Sequence, residues 1–288
     1  MRIARFSHDG EVSYGLVLRA AGRPADVAGV LKVNGAPDPG GTAGAESERL
    51  IVAELSGHPF GGTSDDIKLT GARFALDDVW LLAPILPSKV ICIGKNYAAH
   101  AREMGGEPPA EPIIFLKPST AVCGPGDPIF RPTRLSQRVD YEGELAVVIG
   151  RLCREVPADR VAEVIFGYTC ANDVTARDLQ ARDGQWTRAK GFDTFCPLGP
   201  WIETEADPAD LGLTTRLNGE VKQDSRTSLL LHDVQALVMF VSQVMTLLPG
   251  DVLLTGTPEG IGPMDKGDEV SVTIEGIGTL ANPVTDRD

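Results

Sequence analysis

The 288-residue sequence has only four histidines, and its five cysteines lie far apart with no CxxC pair among them. A thiolate zinc site needs closely spaced cysteines and a disulfide framework needs an even set, so neither is indicated. Widely spaced, odd-numbered cysteines are typical of a protein from a reducing compartment. We therefore expect a cytoplasmic protein.

Basic residues are also in deficit: 27 Lys and Arg against 40 Asp and Glu give a formal net charge of -13. Nucleic acids and anionic membranes are bound through clustered Lys and Arg, so we expect neither as a partner. Long hydrophobic runs are missing as well. The most apolar stretch, residues 229–254, is interrupted by polar side chains, and the start lacks the apolar segment of a signal peptide. An acidic chain of this kind suits a cation site.

Two regions that differ in composition and in predicted secondary structure follow each other along the chain. Residues 1–82 hold two strand-like runs, an Ala/Gly/Pro-rich middle and a helical pattern in SERLIVAEL, which predicts a small amino-terminal α+β domain. Pro84 and Pro87 resist both helix and central strand, so APILPS is the expected linker. Residues 83–288 then form the main domain.

The main domain is dominated by short β-rich runs between Gly and Pro turns. These runs do not alternate regularly with helices, which argues against a doubly wound parallel sheet and favours a β-rich α+β fold. Asn218-Gly219 predicts a tight hairpin. Helical patterns cover residues 97–104, 158–164 and 234–247, and the last carries an apolar stripe that continues to Leu248.

Glu142 and Glu144 share one face at the start of the predicted strand DYEGELAVVIG. The strand continues as apolar on both faces, so the two carboxylates lie near a buried boundary, where unpaired like charges are costly. Either this strand end is solvated or a cation lies between the acids. Asp173, after another strand-like run, offers a third carboxylate, although its position also suits a helix cap. An all-oxygen set favours a hard ion such as Mg²⁺, Mn²⁺ or Ca²⁺.

A candidate general base lies in GKNYAAHAREMG, where His100 and Glu103 are three residues apart and meet on one helical face. The carboxylate can orient the imidazole and raise its basicity, as activation of a water requires. The alternative is an ordinary exposed pair. The other three histidines have no comparable partner nearby in the sequence, so His100 is the preferred base.

Further candidates follow in two loops and a helix. Lys190, in a Gly- and Pro-containing segment expected to be irregular, can place a charge beside a carboxylate or a developing enolate. Arg177 and Gln180 can hold a substrate carboxylate, and Thr257 with the backbone amides of LLTGTPEGIGP can bind an anionic group. Lys190 could instead be a solvated loop lysine, and Arg177 and Gln180 could simply lie on a surface helix.

Six motifs in series resemble the fumarylacetoacetate hydrolase family in its short prokaryotic form, across residues 85–284. Any one motif is weak, but their order matches the family. They are NYxxHxxE at residues 96–103, FLKP at 115–118, DYExEL at 140–145, NDVTARDLQ at 172–180, KGFDTFCPLGP at 190–200 and LLTGTPxGxGP at 253–263.

The resemblance implies a mixed β-sandwich roll, a homodimer, and Mg²⁺ or Mn²⁺ as the metal, with Ca²⁺ as a substitute in crystals. It also implies roles for the residues named above: metal ligation by Glu142, Glu144 and Asp173, water activation on a lid helix by His100 and Glu103, charge stabilisation by Lys190, and substrate contact by Arg177, Gln180 and Thr257.

The leading hypothesis is a metal-dependent hydrolase that cleaves a C–C bond in a small anionic 2,4-dioxo acid, of the acylpyruvate or fumarylpyruvate type, through a pyruvate enolate held by the metal. Two alternatives use the same site: oxaloacetate decarboxylation and isomerisation of 2-hydroxyhepta-2,4-diene-1,7-dioate. A third alternative is a non-catalytic, cation-stabilised binding protein.

Overall fold

A computed structural model describes residues 1–20, 49–60 and 68–287 of the chain. In this part of the chain most strands belong to one mixed sheet, whose main path runs β4-β3-β2-β1-β14-β12-β11-β17-β6-β7 while β5 pairs with β1 and β8 with β14. Its strands are β1 (Arg2–His8), β2 (Glu11–Arg19), β3 (Leu50–Leu55), β4 (Leu69–Ala75), β5 (Trp80–Leu82), β6 (Val90–Gly94), β7 (Ile113–Lys117), β8 (Val122–Cys123), β11 (Gly143–Ile149), β12 (Ile165–Asn172), β14 (Cys196–Glu203) and β17 (Val252–Leu254).

Two smaller sheets complete the β-structure of the described residues. One follows the order β16-β15-β19-β20-β9 and the other the order β13-β10-β18. Their strands are β9 (Ile129–Arg131), β10 (Val139–Tyr141), β13 (Thr175–Ala176), β15 (Gly212–Leu217), β16 (Glu220–Arg226), β18 (Gly262–Pro263), β19 (Glu269–Ile274) and β20 (Gly278–Asp286).

The helices of the described residues are short: α1 (Ala98–Glu103), α2 (Val161–Val164), α3 (Arg177–Asp183), α4 (Thr187–Lys190) and α5 (Val234–Val244). None of them is long and apolar enough to cross a bilayer. The structure is therefore the β-rich α+β fold that the sequence predicts, and the three helical patterns of the main domain coincide with α1, α2 and α5.

The strand β11 carries the core on both of its faces. Leu145, Val147 and Ile149 pack with residues of β15, β19 and α5, whereas Ala146 and Val148 pack on the opposite side. A strand covered on both faces explains the uninterrupted apolar run after Glu144. The layered packing of the large sheet against the β15–β19 sheet is the sandwich arrangement expected for this chain.

Two expectations about local structure are wrong. In the described part of SERLIVAEL, residues 49–55, the predicted helix is replaced by strand β3, which lies between β2 and β4 with Leu50 and Val52 buried against Phe6. Ladder pairing on both sides outweighs the helical pattern of this segment. The amino-terminal strands thus extend the main sheet, because β1 pairs with β14.

The apolar stripe of α5 is also shorter than predicted. The helix ends at Val244, which is 56% exposed, and the chain is extended at Met245. The buried part of the stripe is limited to Val234, Leu237, Val238 and Val241. The predicted hairpin, by contrast, is present, because Asn218 and Gly219 join β15 to β16.

Candidate active site

The three candidate acids lie together at one end of the paired strands β11 and β12. Glu144 is the second residue of β11, Glu142 precedes that strand, and Asp173 directly follows β12. Asp173 donates its backbone N–H to the Glu142 carbonyl at 2.8 Å, which fixes the two chain segments side by side. All three side chains are buried, and one carboxylate oxygen from each lies within 4.8 Å of the others.

Two buried lysines contact these acids. Lys190 Nζ donates to Glu142 Oε2 at 2.8 Å and to Asp173 Oδ2 at 2.6 Å. Lys117 Nζ donates to Asp173 Oδ1 at 2.5 Å and to the Val174 carbonyl at 3.1 Å. Lys190 is the last residue of helix α4, so the expectation of an irregular segment there is wrong. The helix holds the ammonium over the Phe115 ring, 5.1 Å from its centre.

Opposite electrostatic effects act on the two glutamates. Burial disfavours ionisation of Glu142, but Lys190 and Arg177 outweigh it and hold the pKa of this carboxyl well below its ordinary range. Burial, together with the charges of Asp173 and Glu142, raises the pKa of Glu144 well above its ordinary value. Glu144 accepts a hydrogen bond from the Gly256 amide at 2.6 Å but forms no ion pair with any described residue. It is the member of the triad that most needs a cation.

The triad fits a hard divalent ion by both chemistry and geometry. Its donors are all carboxylate oxygens, the ligand type that Mg²⁺, Mn²⁺ and Ca²⁺ prefer. Oxygens on opposite sides of one ion lie about 4.2 Å apart for Mg²⁺ and about 4.8 Å apart for Ca²⁺. The carboxylate oxygens of the triad lie within 4.8 Å of one another, so they are close enough to bind one ion without a change of fold. The Lys190 ammonium between Glu142 and Asp173 shows that these oxygens already face a common cation.

Helix α1 brings His100 to the same pocket. His100 Nδ1 lies 3.1 Å from Glu103 Oε2, and the other carboxylate oxygen of Glu103 accepts a 3.0 Å hydrogen bond from the Gly260 amide. A carboxylate at Nδ1 favours the tautomer with the proton on that nitrogen, which leaves Nε2 as the proton acceptor. His100 is buried, whereas Glu103 is partly exposed and lies outside the pocket lining.

Arg177 and Gln180 lie on α3 and bond to each other, Nη1 to Oε1, at 2.7 Å. The guanidinium also donates to Glu142 at 2.5 Å and to Asp140 at 3.1 Å. It therefore braces the acids as well as lining the pocket, a contact that the sequence-based interpretation as a substrate ligand did not include.

The loop after β17 is used differently from the expectation of a free anion site. Its Gly256 and Gly260 amides bind the protein's own carboxylates, Glu144 and Glu103. The Thr257 hydroxyl donates to the Gly143 carbonyl at 2.9 Å and accepts from Gln223 at 2.8 Å. Thr257 still lines the pocket, and the loop joins both halves of the site.

A pocket of about 300 Å³ joins these groups, with all nine candidate residues except Glu103 in its lining. This volume is at the lower end of ligand pockets and suits a small metabolite. The sequence-based predictions did not include four further residues of the site: Lys95, Phe115 and Trp186, which line the pocket, and Lys117, which contacts Asp173. The signal for Lys117 was its place at the end of the apolar run IIFLK, since a lysine that becomes buried needs an acidic partner.

Comparison with known proteins agrees with this geometry. The family model described as fumarylacetoacetate (FAA) hydrolase C-terminal matches residues 89–285. The chain belongs to the fumarylacetoacetate hydrolase family. A second family model, Rv2993c-like N-terminal, matches residues 1–84. The chain is therefore an enzyme of the family that its six motifs resemble.

Two relatives from the curated proteins illustrate the range of similarity. Protein Rv2993c of Mycobacterium tuberculosis is 59% identical over 83% of this chain and 89% of its own length. The mitochondrial oxaloacetate tautomerase Fahd2a of Rattus norvegicus is 46% identical over 72% of this chain and 69% of its own length.

Solved structures with different activities in their descriptions share the fold. 5-Carboxymethyl-2-hydroxymuconate delta-isomerase from Mycobacterium smegmatis is 50% identical, with a TM-score of 0.83 and full coverage of both chains. Fumarylpyruvate hydrolase from Pseudomonas aeruginosa, in complex with Mn²⁺ and pyruvate, is 34% identical with a TM-score of 0.67, over 70% of this chain and 91% of that one. The family is therefore clear, while the reactions of its members differ.

Proposed function

We propose that this protein is a divalent-metal-dependent hydrolase that cleaves the C3–C4 bond of a 2,4-dioxo acid to give pyruvate and a carboxylic acid. The observation that carries the proposal is the placement of a buried carboxylate triad and a carboxylate-oriented histidine in one small pocket. The similarity to a fumarylpyruvate hydrolase described with Mn²⁺ and pyruvate supports the same reaction class.

Glu142, Glu144 and Asp173 would hold the ion. When bound, a divalent ion supplies Lewis-acid polarisation of the carboxylate and 2-oxo oxygens of the substrate. Arg177 and Gln180 lie beside Glu142 in the pocket and would orient the substrate carboxylate.

His100 would act as the general base. Its Nε2 takes a proton from a water while Glu103 stabilises the imidazolium through Nδ1. The water oxygen forms a bond to C4, the C3–C4 bond breaks, and its electron pair passes to C3 and the 2-oxo oxygen as an enolate. Proton return to C3 then gives pyruvate, so that one water is consumed for each bond cleaved.

Lys190 would stabilise the negative charge on the enolate. Burial disfavours the charged ammonium, but Asp173 and Glu142 outweigh it and raise the pKa of Lys190 above its ordinary value, so it stays charged at neutral pH. A fixed charge in a buried site stabilises a developing negative charge more strongly than it would in water, because no solvent has to reorganise during the reaction.

A second candidate is tautomerisation or isomerisation of a 2-oxo diacid on the same groups. It is favoured by the full-length similarity to a delta-isomerase and by the 46% identity to an oxaloacetate tautomerase. In that reaction His100 would move a proton between carbon and oxygen instead of activating water.

Product identity distinguishes the two. Purified protein with Mn²⁺ is supplied separately with acetylpyruvate, fumarylpyruvate, oxaloacetate and 2-hydroxyhepta-2,4-diene-1,7-dioate, and products are followed by NMR. The proposal predicts pyruvate and a carboxylic acid in equal amounts from a dioxo acid, and no turnover after chelation. Tautomer exchange without pyruvate would favour the second candidate, and decarboxylation of oxaloacetate would give CO₂ and pyruvate. Absence of any turnover would point to a binding protein.

A further inference from the structure

Cations in the pocket differ in whether they have an acidic partner. Lys190 is paired with Glu142 and Asp173, and Arg177 with Glu142 and Asp140. Lys95 also lines the pocket, yet it forms no ion pair with any described carboxylate. Where a half-buried lysine has no acidic partner among the described residues, an anionic ligand group gains a strong, charge-assisted hydrogen bond by binding to it.

We propose that Lys95 binds the distal carboxylate of the substrate, so that this enzyme acts on a 2-oxo dicarboxylic acid rather than on a monoacid. This inference rests on the proposed function, because it assumes that the other end of the substrate, the 2-oxo carboxylate, lies at the triad. Beyond the proposed function, it specifies that the substrate carries a second carboxylate at the end opposite the 2-oxo acid.

The backbone holds Lys95 at a fixed point of the pocket wall. The residue directly follows β6 and has φ of 58°, a left-handed conformation that is uncommon for a residue with a side chain. Such conformations persist where the surrounding structure imposes them, and they cluster at ligand sites. The following residue, Asn96, is locked by hydrogen bonds from its amide to the Thr255 and His232 carbonyls.

The ammonium of Lys95 lies beside the end of the helix that carries the base. A Cβ built on Gly106 would meet Lys95 Nζ at 3.3 Å, so this nitrogen is next to the turn that follows α1. The same turn begins at Met104, which lines the pocket together with His100. A ligand carboxylate on Lys95 would thus contact the helix that positions the base.

The rest of the lining is suited to the carbon chain between two charged ends. Ile93, Met104, Phe115, Ala181 and Trp186 supply apolar contacts. Phe115 and Trp186 pack edge to face at 5.2 Å and form one rigid wall. An apolar lining with the triad at one end and, at another, an ammonium that has no partner in the described part of the chain matches a short diacid.

The test uses a ligand pair that differs only in the distal group: 2-oxoadipate and 2-oxohexanoate. Binding of each to the Mn²⁺-loaded protein is measured by calorimetry for wild type, Lys95→Met and Lys95→Arg. Methionine keeps the length of the side chain without its charge. Because a hydrogen bond between charged groups is lost only for the diacid, we expect Lys95→Met to weaken 2-oxoadipate more than 2-oxohexanoate, by a factor of about 10 to 100. Lys95→Arg should restore most of the preference.

Each outcome has a distinct meaning. Equal losses for both ligands in Lys95→Met, or a wild-type protein that binds both equally, would overturn the role of Lys95 and leave the proposed function intact. Failure of the wild type to bind either ligand in the presence of Mn²⁺ would overturn the proposed function and this inference with it. Unchanged Mn²⁺ affinity and circular dichroism of Lys95→Met show that the variant is folded. The ratio of kcat/KM for fumarylpyruvate to kcat/KM for acetylpyruvate should fall by the same factor in Lys95→Met.

Discussion

The Glu103 carboxylate accepts a 3.0 Å hydrogen bond from the Gly260 backbone amide, which joins helix α1 to the loop after β17. The second oxygen of the same carboxylate lies 3.1 Å from His100 Nδ1. Two segments 157 residues apart in the sequence thus determine the orientation of one imidazole. The partly exposed Glu103 is therefore a positioning residue, and its own position depends on the loop.

Gly260→Ala should disturb this link. Gly260 has φ of +95°, and a Cβ there would lie 2.1 Å from the Lys222 carbonyl oxygen, so the loop must shift. With the amide displaced, Glu103 loses its anchor and we expect kcat to fall about 10-fold or more. Steady-state kinetics on the best substrate checks this.

Gly267→Ala is the matched control for that variant. Gly267 has a similar φ of +94°, but no atom of the described residues lies within 4 Å of the position that a Cβ would take. The substitution should cost about 1 kcal/mol of stability through backbone strain and leave kcat unchanged. Equal losses of kcat in both variants would mean that the Gly260 link has no special role.

His100→Asn should remove the proton acceptor while it keeps a polar side chain in the pocket. We expect kcat to fall by a factor of about 10² to 10⁴ at unchanged Mn²⁺ affinity, as is usual for loss of a general base. His58→Asn, on an exposed residue paired with Tyr14, is the control. Wild-type turnover by His100→Asn would exclude water activation by this histidine.

Lys117→Met should destabilise the metal-free protein more than the metal-loaded one. Its removal leaves Asp173 buried with less compensating charge, and breaking a buried pair typically costs about 3 kcal/mol. A bound divalent ion replaces the missing charge, so the loss should shrink with Mg²⁺. Denaturant unfolding with and without Mg²⁺ measures both values.

The exposed Lys266 provides the comparison. Lys266→Met should change the free energy of unfolding by less than about 0.5 kcal/mol under either condition. If Lys117→Met is equally destabilised with and without Mg²⁺, the lysine does not share its electrostatic role with an ion.

The sequence predicted the β-rich fold because strand periodicity and the positions of Gly and Pro are local signals. It failed at β3, where pairing with two neighbouring strands determines the structure of an otherwise ambiguous apolar segment. That pairing is a long-range property. Similarly, the end of α5 at Val244 depends on what the next residues contact and not on the apolar spacing alone.

In the site, too, local sequence features could be predicted and long-range contacts could not. The acids could be identified because like charges beside a buried strand need an explanation, and the motifs placed the other groups in a family order. The acidic partner of Lys117 could not be identified from the sequence, because Asp173 lies 56 residues away along the chain. The loop after β17 was predicted to bind an anion through its backbone amides. The sequence does not show that the Gly256 and Gly260 amides are already bound to Glu144 and Glu103.

Calorimetric titration of Mn²⁺ into metal-free wild type, Glu144→Gln and Glu205→Gln tests the central claim most directly. Glu144 is buried without a cationic partner among the described residues, whereas Glu205 is on the surface with 76% of its side chain exposed. If one ion is held by Glu142, Glu144 and Asp173, wild type and Glu205→Gln will bind one Mn²⁺ per chain with the same affinity. Glu144→Gln will bind it at least about 100-fold more weakly. Undiminished binding of Mn²⁺ by Glu144→Gln would contradict the account.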